Sequence, residues 1–148
     1  MAVQITGKYQ GGLKMELRHG PSGTTLTTAA PRDNQGDGSS FSPTDLMAAA
    51  LGSCIVTTMA IAAQRQAIPF TGADFVIEKH MRSDPRRVDR LPISIRMPAE
   101  LSEADRDRLE YVAQNCPVAR SLLPEIEAVV TFEYPERIPL QASSDTSG

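Results

Sequence analysis

Leu46 through Ala63 is an uncharged run of 18 residues in the middle of a chain of 148. Such a run sits at the lower edge of the length that spans a bilayer. It is rich in Ala, Gly, Ser and Thr and poor in the large side chains that drive insertion. The reading is therefore a long helix buried inside a soluble domain. Ser42 supplies a side-chain cap and Pro43 the first helical position, so the helix begins there. It runs to about Gln66, before Pro69. Ala48, Ala49, Gly52 and Ser53 are small enough to let another backbone approach closely.

The rest of the chain agrees with a globular protein. Apolar residues make up 41% and charged residues 22%, the proportions of one soluble domain able to bury its own core. Trp is absent, so that core rests on Leu, Ile, Val, Met and Ala. A net charge of −3 and a pI near 5.4 give no footprint for nucleic acid and no polybasic membrane anchor. The first residues lack the apolar stretch of a signal peptide, and two cysteines make no disulfide scaffold. These features point to the reducing cytoplasm.

Alternation marks the strands. Val3, Ile5, Gly7 and Tyr9 share one face; Gly11-Gly12 turns the chain; Leu13, Met15 and Leu17 share the next; Thr24 to Thr28 makes a third strand. Residues 29–42 form a long polar loop that can cover a pocket. Phe70 to Met81 reads as a long strand, Arg82 to Arg90 as a charged connection and Leu91 to Met97 as the returning strand. Arg86, Arg87 and Arg90, interleaved with Asp84 and Asp89, suit a solvated hairpin tip. Ser102 caps a helix, with Asp105 as an imperfect capping-box partner. A short helix starts at Pro117, and Ile126 to Tyr134 alternates as a last strand. The predicted order is βββ-α-ββ-αα-β, an α+β domain with a mainly antiparallel sheet. Residues 1–140 form a single domain, and 141–148 a disordered tail.

Chemistry rests with two thiols. Cys116 precedes Pro117 as the cap of a helix start, where unpaired N–H groups favour a thiolate. Arg120 adds positive charge one turn later. Local physics therefore makes Cys116 the more activated thiol. Cys54 has Met47, Leu51, Thr58 and Ile61 on its helical face and reads as buried. Asp45 is nine residues before it, on the opposite face and about 13 Å along the axis. The two meet only through a symmetry mate, an intermediary or a broken first turn. His19 and His80 have no metal-ligand spacing, and Gly36-Asp-Gly-Ser-Ser lacks the ending of a phosphate loop.

Ser42-Pro-Thr-Asp-Leu-Met-Ala-Ala-Ala-Leu-Gly-Ser-Cys54, with Asn115-Cys116-Pro-Val118 some sixty residues on, resembles the OsmC/Ohr family. Its members show Pro-x-Glu-Leu-Leu-x-Ala-Ala-Leu-Gly-Ser-Cys and a distal Cys-Pro-Val. The resemblance covers nearly the whole chain. It implies an intertwined homodimer in which sheet wraps two long central helices, with sites at the subunit interface. It also implies that Cys54, not Cys116, attacks an organic hydroperoxide and becomes a sulfenic acid. Cys116 then resolves it as a disulfide, and a dithiol reductant, often lipoyl-linked, restores the pair. That order reverses the local ranking, so tertiary contacts would activate Cys54.

The chain departs from the family pattern at the acid and at the arginine. Hydroperoxide reductases of the family carry Glu directly after the motif proline, where this chain has Thr44. The acid here is Asp45, one methylene shorter than the Glu of the Pro-x-Glu branch. Those enzymes also use an N-terminal Arg, for which Arg18 and Arg32 are the candidates. The expected function is a thiol-dependent peroxidase for alkyl or lipid peroxides, needing no metal or organic cofactor. A small-molecule-binding protein with idle cysteines and a redox sensor are the alternatives.

Overall fold

The computed structural model describes residues 1–135; the tail expected at 141–148 lies outside them. Three strands open the chain, β1 (Ile5–Gly11), β2 (Lys14–His19) and β3 (Thr25–Ala29), paired antiparallel in sequence order. Register sets Gly7 opposite Leu17 and Leu17 opposite Leu26, while Tyr9 faces Met15. The alternation read from sequence therefore builds one continuous apolar face. Among the described residues nothing covers its outer part, since Ile5 and Tyr9 are 64% and 60% exposed.

The polar loop holds one 3-10 turn, Arg32–Asn34, and leads into α1 (Pro43–Arg65). Ser42 caps the helix as expected, accepting from Asp45 N, and Asp45 returns the bond to the Ser42 N–H. That reciprocal pair satisfies two N–H donors otherwise lacking partners. Leu51, Ile55, Met59 and Ala63 form the buried face of α1, with the spacing of a helix packed on one side. By length and composition α1 is apolar enough to cross a membrane, and 33% of that window is buried within this chain. Its buried face belongs to the core, where it joins Ile93, Ile95, Met97, Leu109 and Cys116.

The region after α1 differs from the sequence expectation. The long strand at Phe70–Met81 is two short ones in different sheets, β4 (Asp74–Ile77) and β5 (His80–Ser83). They part at Glu78 and Lys79, where the Lys79 side chain turns onto the start of α1 and the ladder slips at His80/Met81. The charged connection is also partly a strand: β6 (Arg86–Arg90) pairs antiparallel with β5. Strand β7 (Ile93–Arg96) then pairs antiparallel with β4. The order is thus βββ-α-ββββ-αα-β: the first predicted strand of the middle pair is split in two, the charged connection supplies a further strand, and the returning strand stays single.

Helices α2 (Glu103–Ala113) and α3 (Pro117–Ser121) follow, capped by Ser102 and Cys116. For α2 only Ser102 takes part, accepting from Asp105 N. The two helices carry the chain over to β8 (Val130–Glu133), which lies parallel to β7. Parallel neighbours need such a crossover. The last strand is shorter than Ile126–Tyr134, although Glu127 adds an isolated bridge to Arg90.

Candidate functional site

Mid-way along α1, Cys54 sits on the flank between the buried stripe and the exposed face of Ala50, Ser53 and Thr57. It is partly accessible, and its Sγ lies 4.0 Å from Thr58 Oγ1 one turn on. Cys116 is fully buried at 0% exposure. Its Sγ accepts a hydrogen bond from Ala119 N at 3.3 Å as the cap of α3.

The two thiols are neighbours, and its setting makes Cys116 less acidic than an ordinary thiol. Burial pushes the Cys116 thiol up, the Ala119 N–H pulls it back, and the adjacent Cys54 side chain adds to the rise. The expectation of an activated Cys116 is therefore corrected. A helix of five residues offers a few N–H groups, and desolvation outweighs them. The expectation that Cys54 is the buried thiol is reversed as well. A cavity of about 280 Å³ opens between α1, the α2–α3 corner and the start of β8, lined by Leu51, Ile55, Ala113, Gln114, Ala119 and Val130; it includes residues close in sequence to both thiols but neither sulfur. Its walls are chiefly aliphatic, which suits an alkyl group better than a small polar oxidant.

At the N-terminal end of α1, Asp45 uses its two oxygens separately. Oδ2 accepts from Ser42 N at 2.8 Å, and Oδ1 meets Lys79 Nζ at 2.7 Å. Lys79 Nζ also donates to Thr44 Oγ1 at 2.9 Å and to Ser42 Oγ at 3.3 Å. Burial acts to raise the Asp45 carboxyl, but Lys79 and the Ser42 bonds together hold it below its ordinary value. Because α1 is continuous from Pro43 to Arg65, nine helical steps separate Asp45 from Cys54 within this chain.

A family model described as OsmC-like protein matches residues 36–131. The chain belongs to the OsmC-like protein family. A crystal structure from Psychrobacter arcticus 273-4, provisionally described as an osmotic stress induced and detoxification response protein, is 37% identical over 90% of this chain and 97% of its own, with a TM-score of 0.85. An organic hydroperoxide resistance protein OsmC from Legionella pneumophila shares the fold at 16% identity, covering 90% and 97% of the two chains with a TM-score of 0.70. The organic hydroperoxide resistance protein OhrB of Bacillus subtilis does so at 13% identity, covering 90% and 98%, with a TM-score of 0.64. No curated protein sequence matches the chain.

In this OsmC-like chain neither candidate arginine reaches the acid. Arg18 is exposed on β2 beside Gly23. Arg32 is exposed in the loop, donating from Nε to the Asp37 carbonyl at 3.2 Å. Lys79 is the cation on Asp45, and sequence reasoning missed it. The local signal was a lysine two residues beyond β4, on the face of Phe75 and Ile77 where the alternation calls for an apolar residue. The histidines are engaged near the surface, His19 with Ser22 and His80 with Glu78. Among the described residues no group of His, Cys, Asp and Glu could hold a metal ion.

Proposed function

We propose that this OsmC-like protein is a thiol-dependent peroxidase that reduces organic hydroperoxides. The observation that carries the reading is that a partly accessible Cys54 neighbours a wholly buried Cys116, with an aliphatic cavity among the residues around them. The Cys54 thiolate attacks the distal peroxide oxygen, the O–O bond breaks, and the alkoxide leaves as alcohol after taking a proton. The resulting sulfenic acid condenses with the Cys116 thiol, releasing water and forming the disulfide. An external dithiol of the lipoyl type exchanges with that disulfide, leaving two protein thiols and an oxidised cyclic reductant. A raised Cys116 thiol suits this order, because it stays protonated while Cys54 reacts.

The assembly in this reading is an intertwined homodimer in the cytoplasm. The uncovered apolar face of β1–β3 and the exposed side of α1 supply the surfaces that a second copy would bury. Asp45 enters through that assembly, with Lys79 as its counter-ion, since within one chain it lies about 13 Å along the helix from Cys54.

The test is turnover of cumene hydroperoxide with dihydrolipoamide by wild type, Cys54→Ser and Cys116→Ser. Activity in wild type alone, with a sulfenic acid trapped in Cys116→Ser, is the expected result. Wild type no faster than free thiol would overturn the reading in favour of a binding protein with idle cysteines.

A further inference from the structure

Cavities around α1 differ in whether the charge inside them is free. The trough lined by Phe41, Ala48, Phe75 and Ile77 ends in the Lys79–Asp45 pair, whose charges satisfy each other. Across the same helix lies a second cavity, of about 370 Å³, between the start of α1, strand β6 and the chain leaving α3. Its apolar lining comes from Met47, Val88, Leu122, Leu123 and Ile126, and Leu123 is 59% exposed at the rim. Its charged lining is Arg86 and Arg87, with no acid among the lining residues.

Those arginines are only lightly engaged. Arg86 reaches Asp33 at 3.5 Å, a long contact between exposed groups. Arg87 is partly buried and gives one N–H to the Val88 carbonyl at 2.8 Å. Among the described residues no carboxylate pairs with Arg87. A guanidinium has five N–H donors in a planar fork, so Arg87 keeps an edge for a carboxylate. An apolar chamber with two arginines in its lining, at the small end of the ligand-pocket range of about 300–1,000 Å³, matches an anion on a hydrocarbon body.

We propose that this cavity binds a single-chain aliphatic carboxylate, its head group on Arg87 and Arg86 and its tail against Met47, Leu122 and Ile126. Met47 and Cys54 lie on one face of α1, two turns and about 10 Å apart. The wall at Ser121 is the far end of the helix that Cys116 caps. The ligand thus sits alongside the thiol pair and leaves it uncovered. Binding of this kind is independent of thiol turnover, so it stands or falls separately from the peroxidase reading.

Calorimetric titration of the full chain with decanoate, 1-decanol and acetate tests it. Decanoate should bind, with the alcohol and acetate each about tenfold weaker or worse, as loss of a charge-assisted pair or of the tail dictates. Arg87→Glu and Arg86→Glu, each checked for an unchanged melting curve, should weaken decanoate by a similar factor. Equal affinity for decanoate and decanol would overturn the proposal, showing an apolar site alone. So would affinities within about twofold of wild type in both arginine variants, or no binding of decanoate at millimolar concentration.

Discussion

Lys79 and Asp45 form an ion pair of 2.7 Å in which the acid is shared between two tasks, one oxygen meeting the ammonium and the other closing the helix cap. The pair ties the break between β4 and β5 to the first turn of α1. Lys79→Met should lower stability by about 1 kcal/mol, the upper range for a partly exposed pair. Asp45→Asn should do the same through the cap. Chemical denaturation of both variants measures it, and no change in either would mean that the break is held by packing alone.

The same pair sets a pH dependence. Asp45 titrates below its ordinary 3.8 in the folded protein, so folding favours the ionised form. Its contribution is complete above that unfolded value and is lost as pH falls through the lower folded one. Unfolding curves between about pH 5 and 2 should show wild type losing stability more steeply than Asp45→Asn.

Cys116 gives the opposite sign. Its thiol titrates above the ordinary 9.0, so folding favours the protonated form. That contribution is whole below pH 9 and disappears as pH rises through the raised folded value. Tyr134, raised by burial and by Glu110, adds a slope of the same sign at higher pH. Cys116→Ala should keep the tyrosine slope and lose the earlier one. At neutral pH, iodoacetamide should label Cys54 well before Cys116, as peptide mapping by mass spectrometry would show.

A β-carbon at Gly52 would overlap the Phe75 ring. Gly52→Ala should therefore cost about 1–3 kcal/mol through overpacking, despite the better helix propensity of alanine. Ser53→Ala, next door and exposed, should stay within about 0.5 kcal/mol. Denaturant midpoints of the two variants make the comparison.

Ile5→Asp combined with Tyr9→Asp puts charge on the uncovered face of β1–β3. If the proposed dimer forms through that face, analytical ultracentrifugation shows a dimer for wild type and a monomer for the double variant. A monomeric wild type would overturn the dimer, and a double variant that stays dimeric would overturn this contact.

What the sequence revealed follows from how local each signal is. The cap at Ser42, the helix from Pro43 and the cap at Cys116 are written in adjacent residues, and all three appear where expected. So is the alternation of β1 and β2. The split of the Phe70–Met81 strand was not legible, because alternation continues through Glu78 while the sheet changes partner. Lys79 escaped notice for the same reason, its partners being residues of α1 far back in the chain. The expectation of an activated Cys116 failed because its burial comes from packing of distant segments, which one helix start does not encode. Gly52 was read as making room for a backbone, and it receives an aromatic ring.

The continuity of α1 has one more consequence. Asp45, Met47 and Cys54 ride on a single uninterrupted rod, so their spacing is a ruler that no loop can adjust. Inserting one residue among Ala48, Ala49 and Ala50 would turn everything downstream by about 100°. The sulfur would then point away from its partner thiol while the cap stayed in place. Evolution can vary the surface loops of such a chain freely, but between those marks it can exchange letters and never add one.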